Sequence, residues 1–158
     1  VIMSIAFFFL GYCSAALAWY FNHRFVFHGS LGKLPVLKRY RRLHTIHHQN
    51  AYNHRRNNFI FIPLWGHALL FSISIPVFLL SPWAWAGCVA FAFVYGVKHH
   101  RLHNEDVNAP YGKHHLIHHT VAPTYNFSGV HPIIDKIFGT SFGNFSVLPV
   151  RVRSKKAE

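Results

Sequence analysis

The sequence predicts an all-α integral-membrane fold, with about three apolar spans (one single span and one hairpin) under a cytoplasmic, helical, histidine-rich cap. Three observations carry this. Apolar runs reach spanning length, Lys and Arg fall between and after those runs, and histidines recur one helical turn apart. The 158 residues fit a single domain, 1–158, but 51% hydrophobic with 17% aromatic is rich for a soluble core of that size. A bilayer would absorb the excess.

Residues 1–21 carry no charge and form the first expected span. Residues 22–58 turn polar and basic and hold six histidines, with a turn at Gly29–Gly32 and a new segment from Pro35. Residues 59–80 are apolar apart from His67, a few serines and two prolines; Ser81-Pro82 interrupts, and 83–97 is apolar again. This pattern is a membrane hairpin. Its second arm has only about 15 residues where about 20 are needed, so it is expected to run on into Lys98 or to penetrate only in part. Residues 98–158 complete the cap. Both cap blocks then lie on one side, and their basic residues make that side cytoplasmic, with Val1 opposite. The chain opens at Val1 inside an apolar run, without an initiator Met. A signal peptide is not expected, because no basic n-region or small-residue cleavage site brackets the run.

Lys and Arg total 16 against four acids, Glu105, Asp106, Asp135 and Glu158, for a net charge of +12. Such a balance calls for a polyanionic partner. The basic residues cluster at Lys33–Arg42, Arg55–Arg56, Lys98–Arg101 and Arg151–Lys156, beside the apolar runs, which favours an anionic membrane face over nucleic acid. Cys13 and Cys88 lie within apolar runs, form no C-x-x-C pair, and read as small core or lipid-facing residues.

Histidine is the outlier, at 15 of 158 residues. Four clusters stand out: His23 and His28; His44, His47 and His48; His99 and His103; and His115, His118 and His119. The i, i+3, i+4 spacing of the second and fourth puts three imidazoles on one helix face. Neutral imidazole suits iron, zinc, copper or nickel, and ten exceed the needs of one ion, so they divide over two with positions left open. His23 and His28 would lie about 140° apart on an ideal helix. They are expected to straddle the metal pair or to sit where the helix ends. Ferritin-like di-iron sites need four Glu, which this chain of two Glu excludes. No His-Glu-x-x-His, Gly-rich phosphate loop or flavin or nucleotide motif is present. His67 reads as a hydrogen-bonded core residue, and His54 and His131 as surface or supporting residues. His100 and His114 each adjoin a better-spaced neighbour and are expected to support ligands rather than bind metal.

These boxes resemble those of the fatty acid hydroxylase and sterol desaturase superfamily of histidine-box membrane oxygenases. The tail Tyr125-Asn126-Phe127 through Asp135-Lys136-Ile137-Phe138-Gly139-Thr140 is similar to the pattern that closes the family. The resemblance runs from about Trp19 to Phe142 and is nearest to the fatty acid 2-hydroxylase branch, whose ten box histidines match one for one. Ser128 and Asn104 depart from the common pattern, and no fused cytochrome b5 domain is seen. Carotenoid hydroxylases are similar in their boxes but place the first two closer together than His28 and His44, and acyl-CoA desaturases are longer. The resemblance implies two iron ions (zinc as isolated), oxygen as co-substrate, and hydroxylation of a lipid acyl chain. It also implies a separate electron donor, cytochrome b5- or ferredoxin-like with its reductase. Asn126 and Asp135 are candidates to orient box histidines through the second ring nitrogen. A carotenoid ring hydroxylase or sterol oxidase shares the chemistry. A metal transporter, by contrast, would place its ligands near mid-membrane, where only His67 lies.

Overall fold

The computed structural model describes residues 1–50, 64–104 and 110–142. His54 lies outside the described residues, as do Arg55, Arg56, Glu105, Asp106 and the tail from 143 to Glu158, and the side chain of His67 is outside them too. Among the described residues all regular structure is helical: α1 (Ile2–Phe21), α2 (Pro35–Asn50), α3 (Leu64–Leu80), α4 (Pro82–Asn104), α5 (Pro110–Thr120) and α6 (Pro132–Ile137). Four of these, α2, α4, α5 and α6, open with proline, whose fixed φ suits the first helical position and whose missing N–H is not needed there. Ser81 caps α4 by accepting a hydrogen bond from the Ala84 amide at 3.2 Å.

Two segments bear on the sequence expectation, the first by deciding between its alternatives and the second by departing from it. The short second arm runs on without a break, since α4 continues through Lys98 and His103 to Asn104. At the end of α1 the chain tightens into neither a turn nor a loop but widens into a six-residue π turn, Asn22–Phe27. Together α1 and the π turn make one helix, Ile2–Phe27, the one among the described residues long and apolar enough to cross a membrane.

Packing is dominated by α1 against α4, which run side by side in the same direction. Their contact is backbone on backbone. A Cβ at Gly11 would lie 1.9 Å from the Ala84 carbonyl oxygen, and one at Gly87 would lie 2.0 Å from that of Phe8, so only glycine permits this approach. The half-buried Cys88 thiol donates to the Gly11 carbonyl at 3.3 Å. Below this crossing the core gathers Ala16 and Tyr20 of α1, Phe91, Tyr95 and Leu102 of α4, and Phe127, Val130 and Ile134 from the segment after α5. It closes the end of the helix pair where the histidines collect.

Candidate metal centre

The ten box histidines form two groups of five, His23, His28, His44, His48 and His118 in the first, and His47, His99, His103, His115 and His119 in the second. Within each group, one ring nitrogen per residue lies within 4.8 Å of every other. The division follows from helix geometry. In α2, His44 and His48 are i, i+4 and face the first group, while His47 between them faces the second. In α5 the roles reverse, with His115 and His119 in the second group and His118 in the first. Each group therefore takes two histidines from one of these helices, one from the other and two from a third element. The third element is α4 for the second group, through His99 and His103 one turn apart. For the first group it is the π turn.

Of the two expectations for His23 and His28, that π turn removes the straddling of the pair and keeps the other, since both sit where the helix ends. The His28 amide bonds the His23 carbonyl at 3.1 Å, an i to i+5 closure that brings residues five apart onto one face. Their rings lie 5.0 Å apart, centroid to centroid, in the same group. The three-residue boxes are corrected as well, because the single face they present spans both groups. The groups are adjacent: the His48 and His119 rings stack at 4.1 Å.

The hydrogen-bond pattern argues for cations here. In the first group the Nε2 atoms of His23 and His44 are 3.1 Å apart, those of His28 and His44 2.9 Å, and those of His118 and His23 3.1 Å. His23 Nδ1 donates to the Phe127 carbonyl and His118 Nδ1 donates to the Tyr125 carbonyl at 2.6 Å. A carbonyl can only accept, so each Nδ1 carries the proton, and in a neutral ring each Nε2 is then a bare lone pair. Two facing lone pairs do not bond each other; a positive ion between them reconciles the geometry. In the second group the Nε2 atoms of His103 and His99 are 3.3 Å apart and those of His115 and His103 2.9 Å. His47 Nε2 and His48 Nε2 are buried without a hydrogen-bond partner among the described residues. Such atoms are costly unless they ligate something.

Electrostatics keeps the rings in the binding form. Burial, reinforced by neighbouring imidazoles, holds His115, His118 and His119 well below the ordinary histidine range and His44 likewise. Burial lowers His47 to about 2, and lowers His28 and His48 to about 4. Neutral imidazole is the ligand, so each shift favours metal over proton. No carboxylate belongs to either group. An all-imidazole donor set of this kind suits iron or zinc and leaves calcium and magnesium aside.

The residues expected to support the boxes lie behind them. Asp135 accepts from His114 Nε2 at 3.0 Å, not from any of the ten, so its expected bond to a box imidazole is replaced by one to His114. Asn126 bonds no imidazole either: its side chain donates to the His114 carbonyl at 2.9 Å and accepts from the Phe142 amide at 2.8 Å. His100 is half-buried beside His99 and outside both groups. His131 pairs with the Tyr12 hydroxyl at 3.1 Å. Sequence reasoning missed the partners that do meet box histidines, the backbone carbonyls of Tyr125 and Phe127. The only available signal was Asn126 between them, a residue type that tolerates the left-handed conformation found there, φ +59°.

Comparison with curated proteins and with solved structures finds no match. The family described as fatty acid hydroxylase matches residues 8–140, a stretch that holds all ten grouped histidines together with Asn126 and Asp135. With the match covering most of its length, the chain belongs to the fatty acid hydroxylase family.

Proposed function

We propose that this protein is a membrane-embedded di-iron lipid hydroxylase, nearest to the enzymes that hydroxylate an acyl chain beside its carboxyl end. The observation that carries this reading is the pair of five-imidazole groups, in the first of which the bare Nε2 lone pairs of His23 and His118 face each other at 3.1 Å. The residues fit two iron ions, which when bound would supply the oxygen chemistry that turns a C–H bond into C–OH. The chain's own part is to hold ten neutral nitrogens in place, to exclude water, and to fix one substrate carbon beside the ions.

The bilayer reading is supported by the apolar side chains that the helices leave exposed, among them Phe9, Leu10, Phe71, Phe78, Leu80 and Phe93. A lipid would enter sideways along α3 and α4 and reach the histidine end of the bundle. Hydroxylation with oxygen consumes two electrons, so a separate acidic carrier, cytochrome b5- or ferredoxin-like, is required; the exposed Lys33, Lys38, Arg39 and Arg42 offer it a docking face. The histidine end is taken as cytoplasmic. Tags after Ser30 and after Glu158 should report that side, and a tag ahead of Val1 the opposite one; the first two on opposite faces would break the single-site arrangement.

The decisive test is iron analysis with oxygen consumption on the purified protein, followed by lipid mass spectrometry of cells with and without the gene. Two irons per chain and a lipid gain of one oxygen atom are expected. Oxygen added to a sterol or carotenoid would redirect the substrate and keep the chemistry, whereas metal uptake without oxygen consumption would favour a binding or transport protein.

A further inference from the structure

The segment after α5 holds the first histidine group from behind by one device used twice. A trans peptide points its N–H and its C=O in opposite directions. In the Tyr125–Asn126 peptide, the C=O receives the proton of His118 Nδ1 while the N–H donates to the Thr140 carbonyl at 2.8 Å. In the Phe127–Ser128 peptide, the C=O receives the proton of His23 Nδ1 while the N–H donates to Asp135 at 3.0 Å. Asp135 is fully buried and also accepts from the Phe127 amide and the Thr140 hydroxyl, both at 2.8 Å, from His114 Nε2, and from the Ser128 hydroxyl. Burial raises its carboxyl pKa, and the bonds from His114, Ser128 and Thr140 outweigh that and leave it lowered, so the residue is a buried anion. An anion behind the peptide N–H makes the carbonyl on the other side a stronger acceptor.

We infer that Asp135 is a positioning residue for the first histidine group alone, acting on His23 through the Phe127–Ser128 peptide. The inference rests on the reading of two ions held by the ten histidines. Both carbonyls of the segment serve first-group ligands, His23 and His118. The contact between Asp135 and α5 goes through His114, which belongs to neither group. Loss of the carboxylate therefore frees the peptide, and with it the tautomer and aim of His23. Loss of such an outer partner typically weakens metal affinity about 10- to 100-fold.

The test is an anaerobic titration of the full chain with iron-57 in the ferrous state, read by Mössbauer spectroscopy and by iron per chain. Wild type should take up two irons in distinguishable environments, and His28→Ala, which removes a first-group ligand, identifies the first group's signal. Asp135→Asn should weaken that same signal about 10- to 100-fold in iron affinity and leave the other at full intensity. Equal loss of both signals, loss of the second alone, or no loss overturns the inference while the two-ion reading stands; failure of wild type to bind two irons overturns that reading instead. If Asp135→Asn loses its helical structure, Ser128→Ala decides the matter. It removes one of the five donors to the carboxylate, and it should shift the first signal alone and by less; an unchanged spectrum overturns the inference.

Discussion

The two histidine groups are alike in number and unlike in support. The first is built partly on a π turn, includes the half-buried His28 and His48, and has two of its rings fixed by backbone carbonyls. The second is built on three regular helices, has four of its five histidines buried, and is floored by Tyr95, whose ring stacks on His99 at 5.2 Å and 15°. Regular helices give the second group its local geometry through one-turn spacing, and the packing of α2, α4 and α5 brings its members together. The first needs a departure from helical regularity and then outside contacts to hold that departure in place, so it is the more accessible of the two and the more dependent on distant residues.

The largest expected effect comes from residues on the boundary. His47→Ala and His118→Ala should each abolish oxidation while leaving the apolar helices inserted, yet each should strip iron from the group on the other side of its own box: the second for His47, the first for His118. Turnover retained in either variant, or the same iron lost in both, breaks the assignment of the groups. Gly11→Val should come next. It drives α1 from α4 where the backbones touch, at a cost of about 1–3 kcal/mol or more, and since α1 leads to the first group and α4 carries part of the second, both irons should be lost in step as the thermal midpoint falls. Iron lost from one group only would show that the helices are not the shared frame.

Acid should separate the groups more gently. In the metal-free protein, burial lowers His28 and His48 to about 4 and His47 to about 2, while an unfolded histidine titrates near 6.5. Between these values the unfolded chain binds more protons. Stability from these groups is therefore complete above about pH 6.5 and is lost as pH falls towards about 4. Histidine NMR resonances should show His28 and His48 protonating before His47; the reverse order would invert the ranking of accessibility. The smallest effect is expected for Tyr12→Phe. It removes the bond to His131, worth about 0.5–1.5 kcal/mol, and should leave the iron of both groups unchanged by elemental analysis.

That histidines would collect on the faces of α2, α4 and α5 was legible because one-turn spacing is visible in sequence, and so was the helical character of these elements. The division of the histidines was not. Whether His47 faces with His44 or away from it depends on what packs on either side of α2, and that is tertiary information. The pairing of His23 with His28 was hidden because spacing was read on a 3.6-residue period, and nothing in Asn22–Phe27 announces a wider turn. Tyr125 and Phe127 were hidden for another reason: they act through carbonyls that every residue has, so their side chains carry no mark of it. The Gly11 and Gly87 crossing left a trace only as two glycines in apolar runs.

That crossing has a mechanical consequence. Gly11 and His23 are twelve residues apart, and so are Gly87 and His99, so the two helices act as levers of equal arm, about 18 Å each at 1.5 Å per residue, pivoting where their backbones touch. A relative rotation of about one degree at the pivot would displace the far ends, where the histidines sit, by about 0.3 Å. A pivot made of side chains, with rotamers to trade, would give more readily than one in which backbone meets backbone. Two glycines far from the histidines thereby help to set how closely the two groups are held together.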